Sequence, residues 1–130
     1  MFAMLEIRIK STQRVEARNI TGEVAEAVRG QPGNLVHVYV PHTTCGLLIN
    51  EDADPNVMKD ILEALDRLVP GNLSYRHMEG NSDAHIKSSL VGHSCMVPFS
   101  GGSLSLGTWQ GIFLMEFDGP RDRRVSITIV

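Results

Sequence analysis

The chain has 130 residues, a length that makes one domain rather than several. Hydrophobic residues make up 42% of it and charged residues 21%, which is ordinary for a globular protein and excludes a disordered or fibrous chain. The formal net charge is -3 and the basic residues are largely scattered, which argues against a protein that grips nucleic acid through a basic patch.

Cysteine content and the start of the chain indicate a cellular compartment. Two cysteines, Cys45 and Cys95, are too few for the disulfide framework of a small secreted protein. Charge appears already at Glu6, which does not fit the apolar segment of a signal peptide. No apolar run approaches the roughly 20 residues that a membrane span needs. We therefore expect a cytoplasmic protein with reduced thiols and with neither membrane nor nucleic acid as a partner.

Alternating apolar and polar residues predict that the chain opens with a half-buried strand. Leu5, Ile7 and Ile9 alternate with charged residues, and a period of two places them on one face. A second stretch, around Val15 and Ala17, is expected to pair with this strand as a hairpin.

A short helix and an interior strand follow. Thr21 is expected to cap the helix, and Gly30 marks its end. Residues 35–40 are rich in β-branched side chains and are bounded by Pro41, which predicts a strand inside a sheet.

The strongest helix signal lies in the middle of the chain. Asp54 suits the N-cap, Pro55 suits the first helical position, and Pro70 follows the end of the pattern. The apolar residues of this helix that fall on one side are Val57, Ile61, Leu62, Leu65 and Leu68. This side is expected to face the core.

The second half of the chain combines a polar loop, a short helix and several strands. Residues 71–84 are polar, and Asp83 is expected to cap a helix that ends at Gly92. The predicted strands are 94–99, 104–106, 109–117 and 125–129. Residues 112–115 are apolar on both faces, as in a strand covered on two sides. The pattern predicts a single α+β domain over residues 1–130, mostly antiparallel β-sheet or sandwich with two or three helices.

Histidines are the residues best suited to chemistry in this chain. His42 follows directly on the interior strand, where a rigid base holds it. His77 and His85 lie in a polar segment, and a solvated loop gives no reason for two imidazoles there. Three neutral imidazoles with one open position form the ligand set of a catalytic zinc-type site. We therefore predict that the three meet at a divalent metal ion, zinc-like, with magnesium left open.

The same residues allow two other interpretations. One histidine can act as a general acid or base without any metal, and His42 can be a hydrogen-bonded core residue. Glu79 and Asp83 are the carboxylates expected to orient the imidazoles. We assign the catalytic role to His42, His77, Glu79 and His85.

Further side chains are expected to bind an anionic, ring-containing substrate. Lys87 and Ser88, near the start of the predicted helix, suit a phosphate group. Trp109 and Gln110 offer a stacking surface and an amide, and Arg121 follows a Gly-Pro turn as an anion clamp. A structural role for Trp109 and a solvated Arg121 are the alternatives.

Four segments form a set that is more specific than any single motif: His-Thr-Thr at 42–44, the segment 77–90, Leu-Gly-Thr-Trp-Gln at 106–110, and Glu-Phe-Asp-Gly-Pro-Arg at 116–121. With these segments, over nearly its whole length, the chain resembles the YjbQ-type family of secondary thiamine-phosphate synthases. The resemblance implies an α+β homotrimer whose pocket is built from the matching histidines. It adds Thr43, Asn81 and Asp83 to the expected substrate-binding residues.

The resemblance also implies a reaction. A transferase of this type joins a pyrimidine pyrophosphate to a thiazole phosphate, and the word "secondary" implies a side activity. Departure of diphosphate needs a cation or metal on the leaving group, which Lys87, Arg121 and a histidine-bound ion would supply. Two alternatives stay open at this point: a metal-dependent hydrolase of phosphate or acyl esters, and a non-catalytic trimer that binds a metabolite or a metal.

Overall fold

A computed structural model describes residues 3–130, which form two β-sheets and three helices. The strands are β1 (Ala3–Lys10), β2 (Glu16–Asn19), β3 (Leu35–Tyr39), β4 (Cys45–Glu51), β5 (Ser94–Ser100), β6 (Ser103–Leu104), β7 (Gln110–Glu116) and β8 (Asp122–Ile129). The helices are α1 (Thr21–Val28), α2 (Pro55–Leu68) and α3 (Ser82–Val91). The large sheet has the order β1-β8-β3-β5-β6 and the small sheet β2-β7-β4, and their strand pairs are antiparallel. The predicted α+β class is confirmed.

Strand β7 lies at the centre of the molecule because both of its faces are apolar. Ile112 and Leu114 pack into a main core between the two sheets. Phe113 and Met115 point the other way, into a second core that Met58 of α2 shares with α3. The large sheet therefore covers one face of β7, and helices α2 and α3 cover the other, as the apolar run predicts.

The first strand is where it was predicted, but its partner is not. Ile9 is buried, Leu5 and Ile7 pack against the main core, and β1 pairs with β8. The predicted hairpin with the second strand is wrong, because β2 pairs with β7 in the other sheet. Ala17 in β2 and Val15 just before it pack against the second core, so burial draws this segment to the small sheet.

Helix α2 begins as its sequence predicts. The carboxylate of Asp54 accepts a hydrogen bond of 2.9 Å from the N–H of Asn56, and Pro55 is the first helical residue. Leu68, expected in the core, is 74% exposed in the last turn, and the buried residue is Met58. No helix within residues 3–130 is long and apolar enough to cross a membrane.

Two helix starts differ from the prediction by a residue or two. Helix α1 has Ile20 at its N-cap, and the Thr21 hydroxyl instead accepts the N–H of Ile112 at 2.8 Å, which ties the helix to β7. Helix α3 begins at Ser82 with Asn81 at the N-cap, so the predicted cap by Asp83 is wrong.

Strand β4 has no clear sequence signal, yet it positions α3. Its residues lack strict alternation, and their pairing with β7 defines the strand. A Cβ atom on Gly46 would lie 2.5 Å from the carbonyl oxygen of Gly92, so only glycine allows this approach. The N–H of Leu47 donates to the same oxygen at 2.9 Å, which fixes the end of α3 on the small sheet.

Candidate functional site

The three histidines singled out in the sequence line one pocket of about 390 Å³. His42 comes from the loop after β3, His77 from the loop before α3, and His85 from the first turn of α3. The other lining residues are Pro41, Thr43, Thr44, Glu79, Asn81, Arg121 and Arg123. Side chains that lie far apart in the sequence therefore share one pocket.

His42 is fixed by the backbone of β8. Its Nε2 atom accepts a hydrogen bond of 2.9 Å from the N–H of Arg124. Burial lowers the pKa of His42 from its usual 6.5, and the guanidinium charges of Arg123 and Arg124 lower it further. His42 is therefore a neutral imidazole at pH 7.

His77 and His85 form a pair of rings in the lining of the pocket. Their ring centroids lie 5.3 Å apart and the planes meet edge to face at 88°. A carboxylate oxygen of Glu79 lies 3.9 Å from Nε2 of His77, which is an ion-pair distance rather than a hydrogen bond. Glu79 therefore lies beside one imidazole without a hydrogen bond to it, and its orienting role stays a prediction.

The N-terminus of α3 meets the pocket at Asn81. This residue makes no side-chain cap hydrogen bond; its Nδ2 donates to Asp118 at 2.9 Å instead. Within residues 3–130, Asn81 Oδ1 is the one buried side-chain oxygen or nitrogen without a partner. Asp83, expected to orient an imidazole, is buried and bound by Arg14 at 3.2 Å. The carboxylate of Asp83 forms an ion pair with Arg14 and not the predicted contact with a histidine.

Arg121 lies at the rim of the pocket and is held there by Asp118. Its Nη2 atom is 3.0 Å from the Asp118 carboxylate, and its Nε donates to the Asp118 carbonyl oxygen at 2.8 Å. Burial alone would raise the pKa of Asp118, but the hydrogen bonds from Asn81 and Arg121 outweigh it and lower the pKa. The carboxylate therefore stays ionised and keeps Arg121 in place.

A buried ion pair forms the floor beneath His42. Arg123 Nε donates to Glu116 at 2.8 Å, and its Nη2 binds the other carboxylate oxygen. Glu116 also accepts from Ser11 Oγ at 2.7 Å, and Arg123 donates to Thr44 Oγ1 at 2.8 Å. Burial would raise the pKa of Glu116, but these hydrogen bonds lower it.

Sequence reasoning missed this pair, although a signal was present. Arg123 shares strand parity with Val125 and Ile127, which are fully buried, so the alternation of β8 already pointed this arginine inwards. Glu116 ends the apolar strand β7, where an unpaired carboxylate would be costly.

The side chains are not arranged as the ligands of a metal ion. Among the described residues, no three His, Cys, Asp or Glu side chains are grouped so that they could hold one. Nε2 of His42 is engaged by the Arg124 N–H, and burial raises the pKa of the Cys45 thiol to about 12. The three imidazoles share a pocket, and the three-histidine metal centre stays a prediction.

Two predicted phosphate-binding residues lie outside the pocket. Lys87 is buried, with Nζ 3.2 Å from Asp66 of α2 and 6.0 Å from the ring centre of Phe117. Ser88 is also buried and donates to the carbonyl oxygen of Thr43 at 2.8 Å. Both side chains hold α3 against its neighbours, which corrects the prediction that they bind substrate.

Trp109 and Gln110 are also distant from the histidines. They lie at the start of β7, whereas Glu116 ends the strand beneath the pocket. Six residue-to-residue steps, from Gln110 to Glu116, separate the two ends by roughly 20 Å. Trp109 is 63% exposed, and Gln110 accepts the N–H of Gly107 at 2.9 Å. Within one chain, they do not form the predicted ring-binding wall of this pocket.

A second cavity continues from the first. It has a volume of about 510 Å³ and shares His77 and His85 with the histidine pocket. Its remaining lining residues are Ser74, Tyr75, Arg76, Ser82 and Ile86. The two imidazoles therefore line both cavities.

Comparisons with known proteins agree with this fold. Residues 5–130 match the family described as UPF0047 protein YjbQ-like. The UPF0047 protein YugU of Bacillus subtilis is 47% identical over 127 residues, covering 95% of this chain and 96% of YugU. A UPF0047 protein of Methanocaldococcus jannaschii is 46% identical over 129 residues, covering 98% and 94% of the two chains.

Solved structures give the same result. A YjbQ/UPF0047 family protein of Clostridium acetobutylicum superposes with a TM-score of 0.92 at 46% identity, covering 97% of this chain and 99% of that one. A YjbQ-like protein of Sulfolobus solfataricus, described as of unknown function, gives a TM-score of 0.93 at 29% identity, covering 99% and 96%.

The similarity to these relatives does not support the expected thiamine-phosphate synthase activity. The relatives are named only as UPF0047 proteins, and one of the superposed structures is described as being of unknown function. The assignment of a pyrimidine–thiazole transferase, drawn from the resemblance, is therefore wrong. What sequence identity and superposition establish is descent and fold: this chain belongs to the UPF0047 (YjbQ-like) family.

Proposed function

We propose that the histidine pocket binds the phosphoryl group of a small molecule. The observation that carries the proposal is the set of donors on one pocket: three imidazoles, the Arg121 guanidinium and the N-terminal end of α3. Phosphoryl oxygens are strong hydrogen-bond acceptors, and these groups are the donors that proteins use to hold them. A site of this kind needs no metal ion.

Three carboxylates near the pocket are already neutralised, whereas Glu79, which lines the pocket, lies 3.9 Å from Nε2 of His77. Asp118 is bound by Arg121, Glu116 by Arg123, and Asp83 by Arg14. Each of these anions would otherwise repel a phosphoryl group, because like charges a few ångströms apart destabilise each other. Arg121 is half exposed and keeps donors free for a ligand, since it offers five N–H groups and its hydrogen bonds within residues 3–130 use two of its three nitrogens.

The N-terminus of α3 adds to this attraction. A helix N-terminus carries partial positive charge and backbone N–H groups without helical partners. In α3 no side chain caps this end, and both Asn81 at the N-cap and His85 in the first turn line the pocket. A bound phosphoryl group would supply the acceptors that the end of the helix lacks.

Binding of inorganic phosphate tests the proposal directly. We expect Arg121→Gln to raise the Kd for phosphate about tenfold or more, because a hydrogen bond between charged groups is lost. Arg29→Gln, which removes an exposed arginine that pairs with Glu26 of α1 and does not line the pocket, is the matched control and should leave the Kd unchanged. Titration calorimetry of the three proteins measures both. Equal affinity in all three would overturn the proposal.

Metal uptake is a separate prediction from the sequence, and elemental analysis of the purified protein tests it. Because Nε2 of His42 is engaged, we expect that any bound divalent ion does not depend on this residue. The metal content of His42→Gln should therefore equal that of the wild type. A stoichiometric ion that disappears in His42→Gln would restore the three-histidine centre.

We also propose the homotrimer that the family resemblance implies. The outer face of the large sheet supports it, since Met4, Thr128, His37 and Met96 form one transverse row across β1, β8, β3 and β5. Met4 is 69% and Met96 58% exposed, and exposed apolar side chains on one face favour association. Sedimentation at micromolar concentration tests it; a single species at the monomer mass of 14.3 kDa would contradict the trimer.

A cytoplasmic location is likewise a proposal. Cys45 and Cys95 are both free, and unpaired thiols suit a reducing compartment. Cell fractionation with an antibody to the protein tests it.

A further inference from the structure

We propose that His42 recognises the ligand as a neutral hydrogen-bond donor, through a proton on Nδ1. The inference rests on the proposed phosphoryl site and adds the role of one residue within it. In this role His42 determines specificity: it binds an oxyanion as a hydrogen-bond donor and disfavours a metal ion.

The position of the proton follows from one hydrogen bond. The N–H of Arg124 lies 2.9 Å from Nε2 of His42. A backbone N–H can only donate, so Nε2 must present its lone pair. A neutral imidazole carries one proton, which is then on Nδ1. Rotating the ring by 180° would place a C–H group against the Arg124 N–H, and that arrangement has no acceptor.

The charges around His42 favour the neutral ring. Burial disfavours a second proton on the imidazole, and the cationic Arg123 and Arg124 of β8 disfavour it further. Glu116 of β7 is the buried anion nearby, but its oxygens are held by Arg123 and Ser11. The remaining titratable groups that line the pocket are His77, Glu79, His85 and Arg121.

The Nδ1 proton is available to a ligand. Nδ1 has no hydrogen-bond partner within residues 3–130, and the one buried unpaired side-chain polar atom there is Asn81 Oδ1. Nδ1 is therefore open to solvent on a residue that lines the pocket. A phosphoryl oxygen can accept a hydrogen bond from the Nδ1–H group directly.

The same geometry disfavours a metal ion at His42. An ion could bind only at Nδ1, because Nε2 is engaged by the backbone. Binding there would remove the last ring proton and leave an imidazolate, far more basic than the neutral imidazole that normally ligates metals. A pocket with this histidine therefore discriminates in favour of acceptor-bearing anions.

Ring nitrogen NMR of ¹⁵N-labelled protein tests the assignment on the wild type. Long-range ¹H–¹⁵N correlations distinguish a protonated from an unprotonated ring nitrogen in each histidine. For His42 we expect a protonated Nδ1 and an unprotonated Nε2, with the Nδ1 proton exchanging more slowly once inorganic phosphate is added. A protonated Nε2, or two nitrogens with averaged signals, would overturn the proposal. Zn²⁺ alone should leave the His42 ring signals unchanged, and loss of its Nδ1 proton on adding Zn²⁺ would also overturn it.

Two substitutions test the role in binding. His42→Gln retains an amide oxygen for the Arg124 N–H and an amide N–H for the ligand, so phosphate affinity should stay within about threefold of the wild type. His42→Leu removes both groups and should lower the affinity about tenfold or more. His37→Gln, on the outer face of β3, is the matched control and should bind normally. Equal binding by the glutamine and leucine variants would contradict the donor role.

The two proposals fail in different ways. If phosphate does not bind the wild type, the proposed function is wrong, and the donor role of His42 falls with it even if its proton is on Nδ1. If phosphate binds in an Arg121-dependent manner but the His42 proton is on Nε2, the phosphoryl site stands and only the inference about His42 is wrong.

Discussion

The two ends of strand β7 differ in what they bury. At the end near residue 116, the carboxylate of Glu116 is fully buried and holds Arg123 beneath the histidine pocket. At the start of the strand, Trp109 and Gln110 are exposed; Gln110 accepts the N–H of Gly107 and pairs with Glu51 of the neighbouring strand. One end is a buried network of hydrogen bonds and an ion pair, and the other is an exposed surface.

This contrast shows that sequence motifs of one family need not form one site within a chain. A buried charge is tolerated only where partners satisfy it, so the network around Glu116 fixes the pocket in a single geometry. An exposed tryptophan places no such demand on its surroundings. The following experiments separate the two ends, beginning with the largest expected effect.

Removing the buried carboxylate should cost the most. We expect Glu116→Ala to lower the free energy of unfolding by about 3–5 kcal/mol, because Arg123 is left as an uncompensated buried charge. Urea denaturation measures the change. Glu51→Ala, in the strand that pairs with the other end of β7, should stay within about 0.5 kcal/mol of the wild type. Equal losses in the two variants would show that the ends do not differ in this way.

A second buried charge lies beside the same end of β7. Asp66→Asn takes the counter-charge from buried Lys87, which should lower the free energy of unfolding by about 1–3 kcal/mol. Because Lys87 does not line the pocket, phosphate affinity should not change. A clear loss of phosphate binding in this variant would return Lys87 to the ligand site. Denaturation and calorimetry on one preparation give both results.

The pH dependence of stability reports on His42. Its pKa is lowered in the folded protein, so the unfolded chain takes up a proton near pH 6.5 while the folded protein does not. The unfolded state gains from this proton, and the free energy of unfolding should fall as the pH drops from 7 through 6.5 towards 5.

The variant His42→Gln should lose that part of the slope. Glu116 and Asp118, whose pKa values are also lowered, weaken the fold at more acidic pH, below the usual 4.5 of a glutamate. The two windows are therefore separable in denaturation curves. An unchanged slope between pH 7 and 5 in the variant would mean that His42 titrates alike in both states.

The exposed end of β7 should give the smallest effect. Trp109→Ala removes a side chain that is 63% exposed, so stability should change by no more than about 0.5 kcal/mol. Phosphate affinity should not change, since the tryptophan lies roughly 20 Å from the pocket along its strand. A large loss of phosphate binding would mean that Trp109 of another copy of the chain completes the pocket. Phosphate binding by the wild type, measured at a protein concentration too low for assembly, would then test this explanation.

Local periodicity predicted most of the elements. The alternation in β1, the apolar run of β7 and the capped start of α2 depend on neighbouring residues and could be read directly. The pairing of β2 with β7 could not, because strand partners are chosen by packing between distant segments. Strand β4 was missed for the same reason.

For the candidate site, too, the sequence predicted some features and not others. The sequence identified the residue types, and the structure brings His42, His77 and His85 to one pocket. It could not show that Lys87 pairs with Asp66, because the two belong to different helices.

The sequence by itself determined the family, the α+β class and the chemistry on offer, since these depend on residue identity and short-range pattern. Tertiary structure alone decided which polar groups are paired and which are left for a ligand. The physical reason is that a hydrogen bond of one group excludes others: the N–H of Arg124 occupies one nitrogen of His42 and leaves the second for the pocket.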